Sequence, residues 1–160
     1  MKRREDDMKK ADADAENFEV GRFRSEDAEG MVELFLAVYG EHYPIRLFCD
    51  PQAVIKANEE GNYYSIVARL SSGEVIGVTH LYKSAPYQSL YETGVGLVLQ
   101  DYRNMGVNVD LLTYLYENFV PEMKNIEELF GEAVCNHPYM QKAIEPFRFV
   151  ETGIEVALMP

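Results

Sequence analysis

The sequence predicts an α+β fold, a central mixed and mostly antiparallel sheet flanked by helices, on three observations. Short β-rich runs are bounded by Gly, Pro and Ser; longer segments repeat their apolar residues at helical spacing; and the two kinds alternate in the order β-αα-β-β-β-α-β-α-β. At 160 residues, 47% hydrophobic and 12% aromatic, the chain fits one domain with a sizeable core, which excludes a disordered or fibrous protein.

Residues 1–16 carry five basic and six acidic side chains with only Met and Ala as apolar types, so this segment reads as a flexible charged tail ahead of a domain spanning 17–160. Phe18 to Phe23 alternates like a short strand. Ser25-Glu-Asp supplies an N-cap and acidic first turn for a helix from about Glu26 to Tyr39, with Met31, Leu34, Phe35 and Val38 on its apolar stripe and Gly40 and Pro44 beyond its end. Asp50-Pro51 is the N-cap and first-turn proline of a second helix ending near Gly61.

Tyr63 to Leu70 and Glu74 to Tyr82 are β-rich runs around a Ser71-Ser72-Gly73 turn, which predicts an antiparallel hairpin. A third strand follows from Tyr91 to Leu99, then a break, then a helix with Leu111, Leu112, Leu115 and Phe119 on one stripe and Pro121 as its stop. Leu129 to Cys135 reads as a strand, Pro138 to Phe147 as a short helix and Thr152 to Met159 as a closing strand.

With 27 Asp and Glu against 15 Lys and Arg, the net charge of −12 repels a phosphate backbone, so nucleic acid is not an expected partner. No stretch approaches the roughly 18 apolar residues of a membrane span, and the charged start is not a signal peptide, so no membrane partner is expected. Cys49 and Cys135 are too few for a disulfide framework and lack zinc spacing; a cytoplasmic setting is the simpler reading. His42 and His80 are isolated, no two histidines have ligand spacing, and no metal is expected.

The segment that carries chemistry is Gly94-Val-Gly-Leu-Val98-Leu-Gln-Asp-Tyr-Arg103-Asn-Met-Gly106-Val-Asn108. A strand that turns at once into a helix aims successive N–H groups and the positive helix end at one spot, where a pyrophosphate can sit. Arg103 adds a cation and Gly106 permits positive φ. Neither a P-loop nor a dinucleotide-binding glycine fingerprint is present, since no Gly-Lys-Ser/Thr occurs and Gly94-Val-Gly96 precedes more strand.

On Val98 and Arg103-x-x-Gly106-x-Asn108, together with the element order from Phe18 to about Met159, the sequence resembles the GNAT acetyltransferase superfamily. The resemblance implies an acetyl-CoA-dependent N-acetyltransferase with a GNAT-like acyl-CoA N-acyltransferase fold and a short C-terminal end. It implies that coenzyme A lies between two splayed parallel strands, Tyr91 to Leu99 and Leu129 to Cys135. Backbone around Leu97 and Val98 would then bond the pantetheine and thioester oxygen, and Arg103, Asn104, Met105, Gly106, Val107 and Asn108 would hold the pyrophosphate. The acceptor would be a primary amine of a small molecule or peptide.

The sequence departs from that pattern in four places. Asn108 replaces a small residue, Gln100 stands where proline is common, and Ile144 and Arg148 stand where the family has an acid tyrosine and a glycine. The chain also ends one strand early, leaving a homodimer, an absent strand or a longer parent open. The alternative function is therefore a non-catalytic acyl-CoA-binding or regulatory domain. Glu92 is the candidate base and Tyr139 the candidate acid, each read against the plainer role of an ion-paired strand glutamate and a buried, hydrogen-bonded phenol. A Cys135-x-His137 nucleophile pair is a weaker reading because no orienting acid is evident. Tyr39, Tyr43, Tyr63, Tyr64, Tyr82, Tyr87 and Tyr91, with Glu41 and His42, would suit the walls of an acceptor site or plain packing, and the acidic balance favours a cationic acceptor.

Overall fold

Five strands form one sheet in the order β1 (Phe18–Arg22), β2 (Tyr63–Leu70), β3 (Val75–Tyr82), β4 (Leu90–Val98) and β5 (Glu128–Gly131). The first four pair antiparallel with their sequence neighbours, and β5 pairs parallel to β4. This computed structural model describes residues 18–135 and 138–154; the tail at 1–16, His137 and the closing-strand residues from 155 onward lie outside the described residues, as does the side chain of His42.

Helices cover both faces. On one face lie α1 (Ala28–Tyr39) and α2 (Pro51–Glu59). The α1 stripe buries Met31, Leu34 and Phe35 against Val67, Val75, Val78 and Leu97 of the sheet and against Phe48 ahead of α2. Burial of each such side chain contributes roughly 1.5–3 kcal/mol. Asp50 caps α2 as expected, its carboxylate accepting the Gln52 N–H at 2.9 Å, with Pro51 in the first turn.

The expected Ser25 cap is corrected. Ser25–Asp27 is a 3-10 turn capped at Arg24, and the α-helix starts at Ala28; Asp27, third in that turn, accepts the Arg24 N–H at 2.7 Å and a two-pronged contact from the buried Arg69 guanidinium at 2.9 and 2.6 Å.

On the opposite face lie α3 (Val107–Thr113) and α4 (Tyr139–Ile144). The α3 stripe of Leu111, Leu115 and Phe119 packs on Ile66, Ala68, Ile76 and Leu81. Gly77 lets the helix sit this close: a Cβ there would lie 3.1 Å from Val107 and 3.2 Å from Leu111. Beyond Thr113 the helix widens into a π-helical stretch, Tyr114–Phe119, then tightens to a 3-10 turn at Val120–Glu122 around Pro121. A uniform α-helix does not fit this segment.

One strand expectation is corrected, and the closing strand expected over Thr152 to Met159 lies mostly outside the described residues. β5 stops at Gly131 instead of reaching Cys135: its pairing with β4 ends at Thr93, where the two strands part, although β4 itself runs on to Val98. Thr152, Gly153 and Ile154 are exposed and form no strand. No helix among the described residues is long and apolar enough to cross a membrane.

Candidate active site

Parallel rungs join β4 and β5 only at Leu90↔Glu128, Tyr91↔Leu129, Glu92↔Phe130 and Thr93↔Gly131. From Gly94 to Val98 that edge of β4 has no strand partner among the described residues, so the two strands splay. Here β4 bulges. His80 pairs with Gly94 and Val78 with Leu97, so Val95 and Gly96 together face Thr79, and Val95 takes φ +51°. A β-branched residue at positive φ is a strained position.

The splay exposes one particular backbone donor. Leu99 N–H donates to Ile76 O of β3 at 2.9 Å, and donors alternate between the edges of a strand, so the Val98 amide points to the open edge. By the same alternation the Leu97 amide turns toward β3 and belongs to the sheet. The Leu97 side chain is buried on the α1 face, and the Val98 side chain on the α3 face.

Past β4 the chain makes a 3-10 turn at Gln100–Tyr102, then enters α3 through Asn104 at φ +66° and Gly106 at φ +85°. The first intrahelical bond runs from Asp110 N–H to Gly106 O, so the amides of Val107, Asn108 and Val109 have no backbone acceptor among the described residues. They border a cavity of about 210 Å³ lined by Val98, Tyr102, Arg103, Asn104, Gly106, Val107, Asn108 and Val109. Arg103 is fixed at its mouth, its Nε donating to Val98 O at 3.2 Å. Met105 turns its side chain to the core instead. Sequence reasoning missed Tyr102 and Val109; the rule that a helix leaves its first-turn amides unbonded would have added Val109, whereas nothing local marks Tyr102.

Glu92 sits on the α1 face, where the Tyr82 hydroxyl donates to its carboxylate. A run of rings leads to it from the end of α1. Tyr39 stacks on Tyr43 at 4.6 Å, Tyr43 meets Phe35 at 5.1 Å, Phe35 stacks on Phe48 at 4.0 Å, Phe48 meets Tyr63 edge-on at 5.8 Å and Tyr63 stacks on Tyr82 at 5.1 Å. Burial pushes the Tyr43 phenol up to about 12, helped by Tyr39 and Tyr63 nearby, and burial with the Glu92 contact pushes Tyr82 higher still. These phenols stay neutral and present ring faces and oxygens beside a carboxylate, a surface suited to a cationic amine.

Behind the rings, His80 is fully buried. Its Nδ1 lies 2.8 Å from Ser65 Oγ, its Nε2 has no partner, and burial pushes its pKa down to about 3. Tyr64 and Tyr91 belong to the α3-face core, and Tyr87, exposed, donates to Glu127 at 2.6 Å. Tyr139 opens α4 and is exposed, which corrects the buried-phenol reading. Cys135 and Cys49 are exposed and not disulfide-bonded. Among the described residues no three His, Cys, Asp or Glu side chains group as a metal site would need.

No family model matches the sequence and no curated protein matches it. Solved structures do match the fold. The spermidine/spermine N-acetyltransferase SpeG from Vibrio cholerae superposes with a TM-score of 0.68 at 15% identity, covering 89% of this chain and 86% of that one. The aminoglycoside acetyltransferase meta-AAC0020 from an uncultured soil metagenomic sample, in complex with trehalose, gives 0.66 at 21% identity over 89% and 96% of the two chains. AAC(6')-Iy, in complex with the bisubstrate analog CoA-S-monomethyl-acetylneamine, gives 0.66 at 16% identity over 88% and 95%. The chain therefore shares the fold of these acetyltransferases, in keeping with the element order.

Proposed function

We propose that the protein is an acetyl-CoA-dependent N-acetyltransferase that acetylates a primary amine of a small molecule or peptide. One observation carries the reading: the uncommitted amides of Val107, Asn108 and Val109 border one cavity with Arg103 at its mouth, and the Val98 amide lies on the open strand edge beside it. This donor set suits a diphosphate followed by an extended amide-bearing arm, which is the chemistry of coenzyme A. The half-buried Asn108 adds a side-chain amide to the same lining. AAC(6')-Iy, which shares the fold, is solved with a CoA bisubstrate analog.

When bound, acetyl-CoA supplies an activated acetyl thioester. Arg103 and the first turn of α3 would hold its diphosphate, and the Val98 amide would bond the arm along the open edge of β4. Glu92, oriented by Tyr82, would take the proton that the attacking amine loses, while the neutral rings of Tyr39, Tyr43 and Tyr63 would form the acceptor's approach. Two exposed free thiols support a reducing, cytoplasmic setting.

Calorimetry with acetyl-CoA tests the binding half: Arg103→Glu should weaken affinity about tenfold or more by replacing a cationic contact with a repulsive one. Unchanged affinity moves the diphosphate elsewhere. A screen of amines for release of free thiol tests the chemistry, with Glu92→Gln lowering turnover about 100-fold at unaltered CoA affinity. CoA binding without thiol release from any amine would favour the binding-domain alternative.

A further inference from the structure

Thr93 occupies the last rung before β4 and β5 part, and its side chain lies on the α3 face. From the π-helical stretch of α3, Tyr116 reaches over that rung, its Oη 2.7 Å from Thr93 Oγ1. The Tyr116 ring is clamped from the far side by Phe147 at 4.8 Å and Phe149 at 5.3 Å. A π-helical turn costs hydrogen-bond quality and recurs at functional sites, and here its one evident product is a hydroxyl pair at the apex of the splay.

Resting on the proposed acetyl-CoA reading, we infer that Tyr116, backed by Thr93, donates the hydrogen bond that stabilises the departing CoA sulfur as negative charge gathers on it. From Val98 back to Thr93 is five residues of strand, about 16 Å, the span of an extended pantetheine arm whose diphosphate end is at Arg103. The sulfur then lies at the closed end of the splay. Glu92 and Thr93 are adjacent on β4 and so face opposite sides of the sheet, which puts the base on the α1 face and the hydroxyl pair on the α3 face of one thioester. Burial pushes the Tyr116 phenol up to about 12, against a lowering pull from Thr93, so it remains protonated at ordinary pH.

The step balances. The amine nitrogen forms a bond to the thioester carbonyl carbon, the C–S bond breaks and its electron pair leaves on sulfur. The Tyr116 O–H donates a hydrogen bond to that sulfur, which leaves as a thiolate, while the Thr93 hydroxyl donates in turn to the Tyr116 oxygen. Glu92 receives the proton from nitrogen and gives it up to water, which restores the carboxylate, and Tyr116 keeps its own proton throughout.

Tyr116→Phe keeps the ring and its clamp and removes only the hydroxyl. It should lower turnover about 100-fold with the KM for acetyl-CoA within about twofold of wild type, and Thr93→Val should lose about tenfold. A second readout needs no acceptor: the thiol of bound CoA, followed by thiolate absorbance, should titrate about one pH unit higher in Tyr116→Phe than in wild type. Wild-type turnover and an unshifted thiol titration in Tyr116→Phe overturn the assignment. A wild-type protein that binds CoA but acetylates no amine defeats the transferase reading, while the thiol titration still decides the Tyr116 contact. A protein that binds no CoA defeats both.

Discussion

The pairing of β2 with β3 runs almost the full eight residues of each strand, and six of eight positions on β2 and seven of eight on β3 are buried. β4 and β5 share four rungs, and Glu128 and Gly131 at the ends of β5 are exposed. Hairpin backbone groups are satisfied within the sheet and covered by α1 and α3, so this half is stabilised by burial. At the seam the Val98 amide and three first-turn amides of α3 stay uncommitted. Stability resides in the closed half and the donors proposed to hold a ligand in the open one, and substitutions should separate the two.

The largest expected effect lies in the closed half. Asp27→Ala strands the buried Arg69 guanidinium and should cost about 3–5 kcal/mol in chemical denaturation, while protein that remains folded binds CoA as before. Loss of CoA affinity in the folded fraction would mean that the halves are coupled.

Acid should also attack the closed half. His80 is held neutral in the fold with its pKa near 3, against 6.5 when exposed, so the unfolded chain binds the extra proton. The stability is fully present above pH 6.5 and is lost as pH falls toward 3, on the order of 1 kcal/mol per pH unit. Denaturation midpoints taken across that window should flatten in His80→Gln, and equal slopes in the two proteins would remove His80 as the cause.

Smallest in stability is Gly106→Ala in the open half. With φ +85° and no heavy atom within 4 Å of an added Cβ, the cost is backbone strain alone, about 1 kcal/mol. CoA affinity should fall as the amides of α3 shift, and calorimetry that finds affinity intact would argue that the turn does not hold the ligand.

The same division governs what the sequence made legible. The Ser71-Ser72-Gly73 hairpin, the Asp50-Pro51 cap and the stripes of α1 and α3 depend on neighbours a few residues away, and each was readable. Failures came where the spacing of neighbours is silent: the first turn is capped at Arg24, whose N–H Asp27 accepts while also pairing with Arg69 42 residues on, and β5 leaves β4 at Thr93 although β4 runs on to Val98. In the site, the motif located the turn around Arg103 and Gly106, but apolar spacing pointed to Leu115 and Phe119 and passed over Tyr116. Only the π-helical widening, which has no evident sequence signal, brings that hydroxyl over Thr93.

Val95 holds a left-handed backbone that valine resists, in the strand segment between the hairpin and the open edge. Val95→Gly would relieve that strain but give up the valine's packing beside the α1-face core and loosen the unfolded chain. The valine thus ties a kinked backbone to the packed interior, so the bend beside the open edge is held by side-chain contact and not left to a pliable glycine.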